Sequence, residues 1–133
     1  MALWEGCGSE LEEIELAIII GTDHSGSPGA ITPTRQNYAT PYGILPTAFE
    51  IVDGLADTIG VKNAYGDELH HLNEHSIELA SVWFHHFIGG RDCPIVPVLC
   101  GSYQHFMSGV ADAREDETIE AATEYLHSVT IER

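Results

Sequence analysis

Apolar residues along this chain come in short blocks of two different periods. Glu15 to Gly21, with Leu-Ala-Ile-Ile-Ile at its centre, lacks any polar alternation. That pattern predicts a strand buried on both faces. "CPIVPVLCG", from Cys93 to Gly101, predicts a second. Pro97 within it removes a ladder donor, so an edge position or a bulge is expected there. Between and after these runs the period lengthens to that of a helix. Phe49, Val52, Leu55, Ala56 and Ile59 share one face, opened by a Thr47/Glu50 capping box and closed by Gly60. Ile77, Ala80, Phe84, Phe87 and Ile88, widened by Leu79 and Trp83, predict a helix from about 74 to 88. Ile119, Ala122, Leu126 and Val129 predict a last helix from about 115. Weaker signals predict a helix over 2–12, pairing of 30–38 with 42–45 around the "ATPYG" turn, a brief strand over 61–65 and a short helix in "GSYQHFM".

Strands alternating with helices predict an α/β fold with a largely parallel sheet. Ligands in such sheets bind beyond the carboxyl ends of the strands. Two polar strand ends qualify: Thr22-Asp23-His24 and Cys100-Gly101-Ser102.

The 133 residues suit one domain, and 44% hydrophobic residues exclude wholesale disorder. Five Lys and Arg against 21 Asp and Glu give a formal charge of −16. Such a field repels phosphate backbones, so nucleic acid is a poor partner. No apolar run is long enough to span a bilayer, and "MALWEGCGSELEE" lacks the basic and apolar regions of a secretory signal. Three cysteines without a CxxC pair favour a reducing cytoplasm.

Eight histidines are the compositional oddity. His24 follows a rigid strand beside Asp23, an acid able to orient its ring. A metal ligand or general base weighs evenly there against a ring bonded to loop backbone. In "DELHHLNEHSIE", His71 and His75 stand four apart, as do Glu74 and Glu78. A helix starting near Glu74 would break the histidine pair, whereas a hydrolase would need both imidazoles on one face. His75 at the helix start is placed to face a strand-end cleft. His85 and His86 are successive and cannot both face one site; His105 and His127 attract no role. Cys100 fits a buried structural thiol better than a nucleophile. Neither a phosphate-binding glycine loop nor a serine nucleophile elbow is present.

"GTDHSG", "TRQNYATPYGILPT", "ELHHLNEHSIEL" and "IVPVLCGSYQHF" occur in that order. Together they resemble the Memo-like family, AmmeMemoRadiSam system protein B in prokaryotes, over nearly the whole chain. The resemblance implies a fold similar to class III extradiol (LigB-type) dioxygenases, a three-layer α/β/α sandwich. Those enzymes hold non-haem Fe(II) on two His and a carboxylate. By resemblance, His24 matches a metal ligand, and Glu74-His75 matches a motif lining the same pocket. His75 would then act as pocket acid/base or substrate contact, Asp23 or Glu74 as orienter, and Tyr38 and Thr40 as pocket wall. Iron (Fe2+) or copper is implied for a full-length member, with AMMECR1-like and radical-SAM partners. The family's earlier P-H-x-x-Y histidine and its later Asp/His ligands have no counterpart in residues 1–133. The chain is therefore expected to be one partial domain, the central part of a Memo-like domain, binding no metal tightly and inactive alone. The alternative is a scaffold module that keeps the cleft for a protein partner.

Overall fold

The computed structural model describes residues 13–131. The helix expected over 2–12 lies outside the described residues. In chain order the elements are β1 (Ala17–Thr22), β2 (Ile31–Pro33), β3 (Tyr38–Thr40), β4 (Gly43–Leu45), α1 (Phe49–Ile59) and α2 (Val61–Tyr65). A 3-10 turn, Glu68–Leu72, leads to α3 (Ser76–Phe87). Then come β5 (Ile95–Cys100), α4 (Gln104–Met107), a second 3-10 turn and α5 (Glu117–Ile131).

The chain is α/β, and its main sheet is mixed. The strand order is β1-β5-β2, with β1 parallel and β2 antiparallel to β5. β3 and β4 form a separate hairpin. The apolar run of β5 is explained by its place: it is the central strand, and all six of its residues are buried. Its side chains alternate between two cores. Val96, Val98 and Cys100 meet α1, α2 and α5 on one face; Ile95 and Leu99 meet α3 on the other. Helices on both faces make three layers.

Five local expectations change. β1 is not buried on both faces: it is an edge strand of the sheet and leaves Ile20 61% exposed. Pro97 lies in the central strand rather than at an edge or bulge. β2 ends at Pro33, opposite Val98, and the Pro97 carbonyl accepts from Thr34 N–H at 3.3 Å. The next rung on that flank belongs to Thr47, which bridges Ile95. The missing donor thus falls where one neighbour hands over to another, so no continuous ladder is broken. Residues 30–38 divide: β2 joins the sheet, and only Tyr38–Thr40 pairs with 43–45. Residues 61–65 are helical, because Gly60 at φ +90° redirects the chain into a further turn that buries Ala64. Thr47 does not cap α1, whose cap residue is Ala48. The Thr47 hydroxyl donates instead to the Gln36 carbonyl at 2.6 Å, tying the helix entry to the loop before β3.

The long helices fall where the periodicity predicts, but α3 is turned differently: Ser81 and His85 are buried, while Ala80, Leu79 and Trp83 of the expected face are exposed. α3 buries Ile77 and Phe84, and α5 starts on Asp116, whose carboxylate accepts from Thr118 and Ile119 N–H. Among the described residues no helix is long and apolar enough to cross a membrane.

Candidate functional site

Parallel pairing of β1 with β5 sets Thr22 opposite Cys100. Both polar strand ends therefore lie at the same edge of the sheet, which is where α/β proteins open their clefts. Asp23 N–H donates to the Cys100 carbonyl at 2.7 Å and carries the register one residue past the strands. α3 docks on this edge through Ser76, whose hydroxyl donates to the Thr22 carbonyl. Gly21 permits that approach, since a Cβ there would collide with the Ser76 and Ile77 side chains. A cleft of about 450 Å³ opens beyond the strand ends, lined by Thr22, Asp23, His24 and the segment from Ser102 to Ser108.

Two acid–histidine contacts cross from the β1 end to the segment before α3. Glu74 grips His24 at two points. One carboxylate oxygen accepts the His24 backbone N–H at 2.9 Å, and the other lies 3.0 Å from ring Nδ1. An ionised carboxylate only accepts, so Nδ1 carries the proton and a neutral His24 keeps its lone pair on Nε2. The hydrogen bond from the His24 ring holds the Glu74 carboxyl below the ordinary carboxylate range. The His24 side chain is 75% exposed, and Nε2 has no partner among the described residues. This is the tautomer a metal-ligating histidine needs.

Asp23 does not orient His24. It is 1% exposed and pairs with His70, Oδ2 to Nδ1, at 2.7 Å. Its other oxygen accepts from Ser25 N–H. The hydrogen bond to Asp23 raises the His70 pKa.

Tyr38 and His71 form a third unit, in a separate cleft of about 550 Å³ lined also by Gln36, Glu68, Leu72 and Glu78. His71 Nε2 is 2.8 Å from the Thr32 carbonyl, which can only accept. The proton therefore sits on Nε2, and Nδ1 accepts from the Tyr38 hydroxyl at 2.7 Å. Burial lowers the His71 pKa, and burial first, then Glu78, pushes the Tyr38 phenol up to about 12.

His75 is the cap residue of α3, with an exposed ring 3.2 Å from Glu78. It is not among the residues lining the His24 cleft. His71 and His75 thus belong to different turns and face different partners, which removes the hydrolase pairing. Thr40 meets neither cleft. Its hydroxyl lies 2.7 Å from Nδ1 of the buried His85. Cys100 is a buried thiol whose pKa is raised by desolvation, and it contacts the Tyr103 hydroxyl. Such a thiol is protonated at neutral pH and is no nucleophile. Sequence reasoning missed His70 and the Tyr38–His71 pairing. The one signal for His70 was the unmatched buried acid at the end of β1.

The profile of the family described as "Memo-like protein" matches residues 9–122. The chain belongs to the Memo-like family. Among curated proteins it is similar to a MEMO1 family protein of Methanosarcina acetivorans, 32% identical over 91 residues. That match takes 68% of this chain and 32% of the relative. A MEMO1 family protein of Methanosarcina mazei is 26% identical over 132 residues, 92% of this chain and 48% of the relative. The chain spans at most about half the length of these Memo-like relatives. No solved structure matches it significantly.

The metal expected from the family resemblance can be tested against the donor set. Asp23 is committed to His70, and Glu74 to His24 itself. Among the described residues no three His, Cys, Asp or Glu side chains converge on one point. The described residues do not by themselves fit a two-His-one-carboxylate centre, which needs its groups in one fixed geometry.

Proposed function

We propose that this chain carries the His24 arm of a Memo-like, dioxygenase-like metal cleft, to be completed by ligands that do not lie among the described residues. The observation that supports this most is the two-point hold of Glu74 on His24. A carboxylate on Nδ1 selects the tautomer, aims the ring and raises the basicity of Nε2, as the outer partners of metal-bound histidines do. The free buried thiols of Cys93 and Cys100 accord with the reducing, cytoplasmic setting such a cleft would occupy.

The test is an anaerobic Fe(II) titration of the chain, followed by NMR of the histidine ring signals. We expect weak binding with broadening centred on His24, lost in His24→Ala and weakened in Glu74→Gln. Broadening centred on other histidines and unchanged in His24→Ala would overturn the assignment. Tight stoichiometric binding would overturn the claim that ligands are lacking.

A second reading rests on the cleft rim. Tyr103 and Met107 are exposed apolar residues in its lining, Met107 being 85% exposed, and with Val110 they also line the adjoining hollow. That favours a protein contact at the cleft, in which case AMMECR1-like or radical-SAM proteins are the partners to try. Binding of such a partner that survives His24→Ala and fails in Met107→Glu would select this reading.

A further inference from the structure

The cleft around Tyr38 and His71 takes no part in the His24 arm, and its volume of about 550 Å³ is that of a small-molecule site. Its Tyr–His wall is a relay whose protons run away from the cleft. His71 Nε2–H donates to the Thr32 carbonyl, and the Tyr38 hydroxyl donates to His71 Nδ1. The Tyr38 oxygen is therefore left with lone pairs and no proton to offer. Burial keeps both partners neutral, since it lowers the His71 pKa and raises that of Tyr38.

Two carboxylates line the same cleft. One oxygen of Glu68 accepts from the buried Thr34 hydroxyl at 2.7 Å and from Arg35 N–H at 3.3 Å. Its other oxygen has no hydrogen-bond partner among the described residues. Glu78 engages His75 through one oxygen and keeps the second in the same state. Its charge reaches the Tyr38 hydroxyl and helps to raise that pKa. No Lys or Arg is among the described residues lining the cleft, and the guanidinium of nearby Arg35 is turned to Asp53 at 2.7 Å. Leu69 and Leu72 supply an apolar side. They stand three apart on the 3-10 turn, which stacks their side chains, and are 74% and 76% exposed.

We propose that this cleft binds a primary ammonium ion carried on a short aliphatic body. The ammonium brings N–H donors and the positive charge that the lining lacks. It donates to the Tyr38 oxygen, with Glu68 and Glu78 as counter-charge, while the carbon chain lies along Leu69 and Leu72. A carboxylate on the same body would meet two like charges, and an alcohol would bring no charge to balance them.

An NMR titration of the 133-residue chain with n-hexylammonium, hexanol and hexanoate tests this, up to about 20 mM ligand in about 0.15 M salt. The salt screens diffuse attraction of cations to a chain of charge −16. Hexylammonium should give saturable shifts centred on Ala39, His71 and Leu72. Hexanol should bind at least about tenfold more weakly, and hexanoate not at all. Glu78→Gln and Leu72→Ser should each weaken hexylammonium about threefold or more, with unchanged circular dichroism, because both side chains are more than half exposed. Glu120→Gln, on α5, should leave binding unchanged. Absence of saturable shifts would overturn the proposal. So would hexanol binding as well as hexylammonium, which would make the cleft an apolar hollow without charge selection. Shifts spread over the acidic surface and indifferent to Glu78→Gln would reduce the effect to diffuse attraction and overturn it too.

Discussion

Asp23 lies directly before His24 in the chain, yet its carboxylate is bonded to His70, 47 residues away, at 2.7 Å. His24 in turn is held by Glu74. Neighbouring residues on the β1 end thus take partners from the same short stretch, acid to histidine and histidine to acid. The crossing fastens the strand-end loop to the approach to α3.

His70→Ala is expected to lower the melting temperature. It leaves the buried Asp23 carboxylate with Ser25 N–H as its one remaining hydrogen-bond partner among the described residues. Asp23→Asn should be milder, because the amide oxygen still accepts from a neutral or charged imidazole. Equal melting temperatures for all three proteins would show that the contact does not hold the loop.

The same pair has a pH signature. His70 has a raised pKa in the fold, so the folded state binds its proton more tightly than the unfolded chain. Its contribution is complete below the ordinary histidine value of about 6.5 and is lost as pH rises through the higher folded value. His71 has the opposite sign: its lowered pKa gives stability that is complete above about 6.5 and lost as pH falls below it. Urea unfolding of wild type and His70→Gln between about pH 5 and pH 9 separates them. The stability difference should shrink as pH rises; a difference independent of pH would exclude the assigned shift.

Tyr38→Phe removes the hydroxyl that donates to His71 Nδ1 while keeping the ring packed. Leaving that half-buried nitrogen unpaired should cost about 1–2 kcal/mol. The His71 ring should also titrate differently, which a purely steric role for Tyr38 would not produce. Nitrogen-15 shifts of the imidazole report both, and a wild-type ring protonated on Nδ1 rather than Nε2 would contradict the bonding described.

Ser81 sits on the inner face of α3, fully buried, with its hydroxyl bonded to nothing among the described residues. Ser81→Ala removes an unsatisfied polar atom and improves helix propensity. Stability should hold or rise by about 1 kcal/mol. A clear fall in denaturant midpoint would mean that the hydroxyl has a partner.

Leu99→Ala tests the central strand. Leu99 is wholly buried between β1 and β2 and packs toward α3. Truncation should cost about 2–5 kcal/mol, from lost burial plus an unfilled cavity. A loss below about 1 kcal/mol would mean that this core collapses easily and is not held by β5.

By itself the sequence determined the α/β class, the positions of the two longer strands (though not that β1 lies at the sheet edge with Ile20 exposed), the three long helices and the strand-end position of His24. Those follow from local periodicity, because burying a strand face or a helix stripe needs apolar residues at fixed spacing. Family motifs marked the Glu74-His75 stretch, but not which acid serves which histidine. Tertiary structure alone decided that Glu74 rather than Asp23 holds His24, that Thr47 serves Gln36 instead of capping α1, and that Pro97 fits a central strand. Each of these depends on which polar groups are brought within about 3 Å by chain segments far apart in sequence. Spacing along the chain carries no record of that distance. The same reason leaves Leu79 and Trp83 outside: a helical stripe shows that apolar residues share a face, and only the packed layers show whether anything covers it.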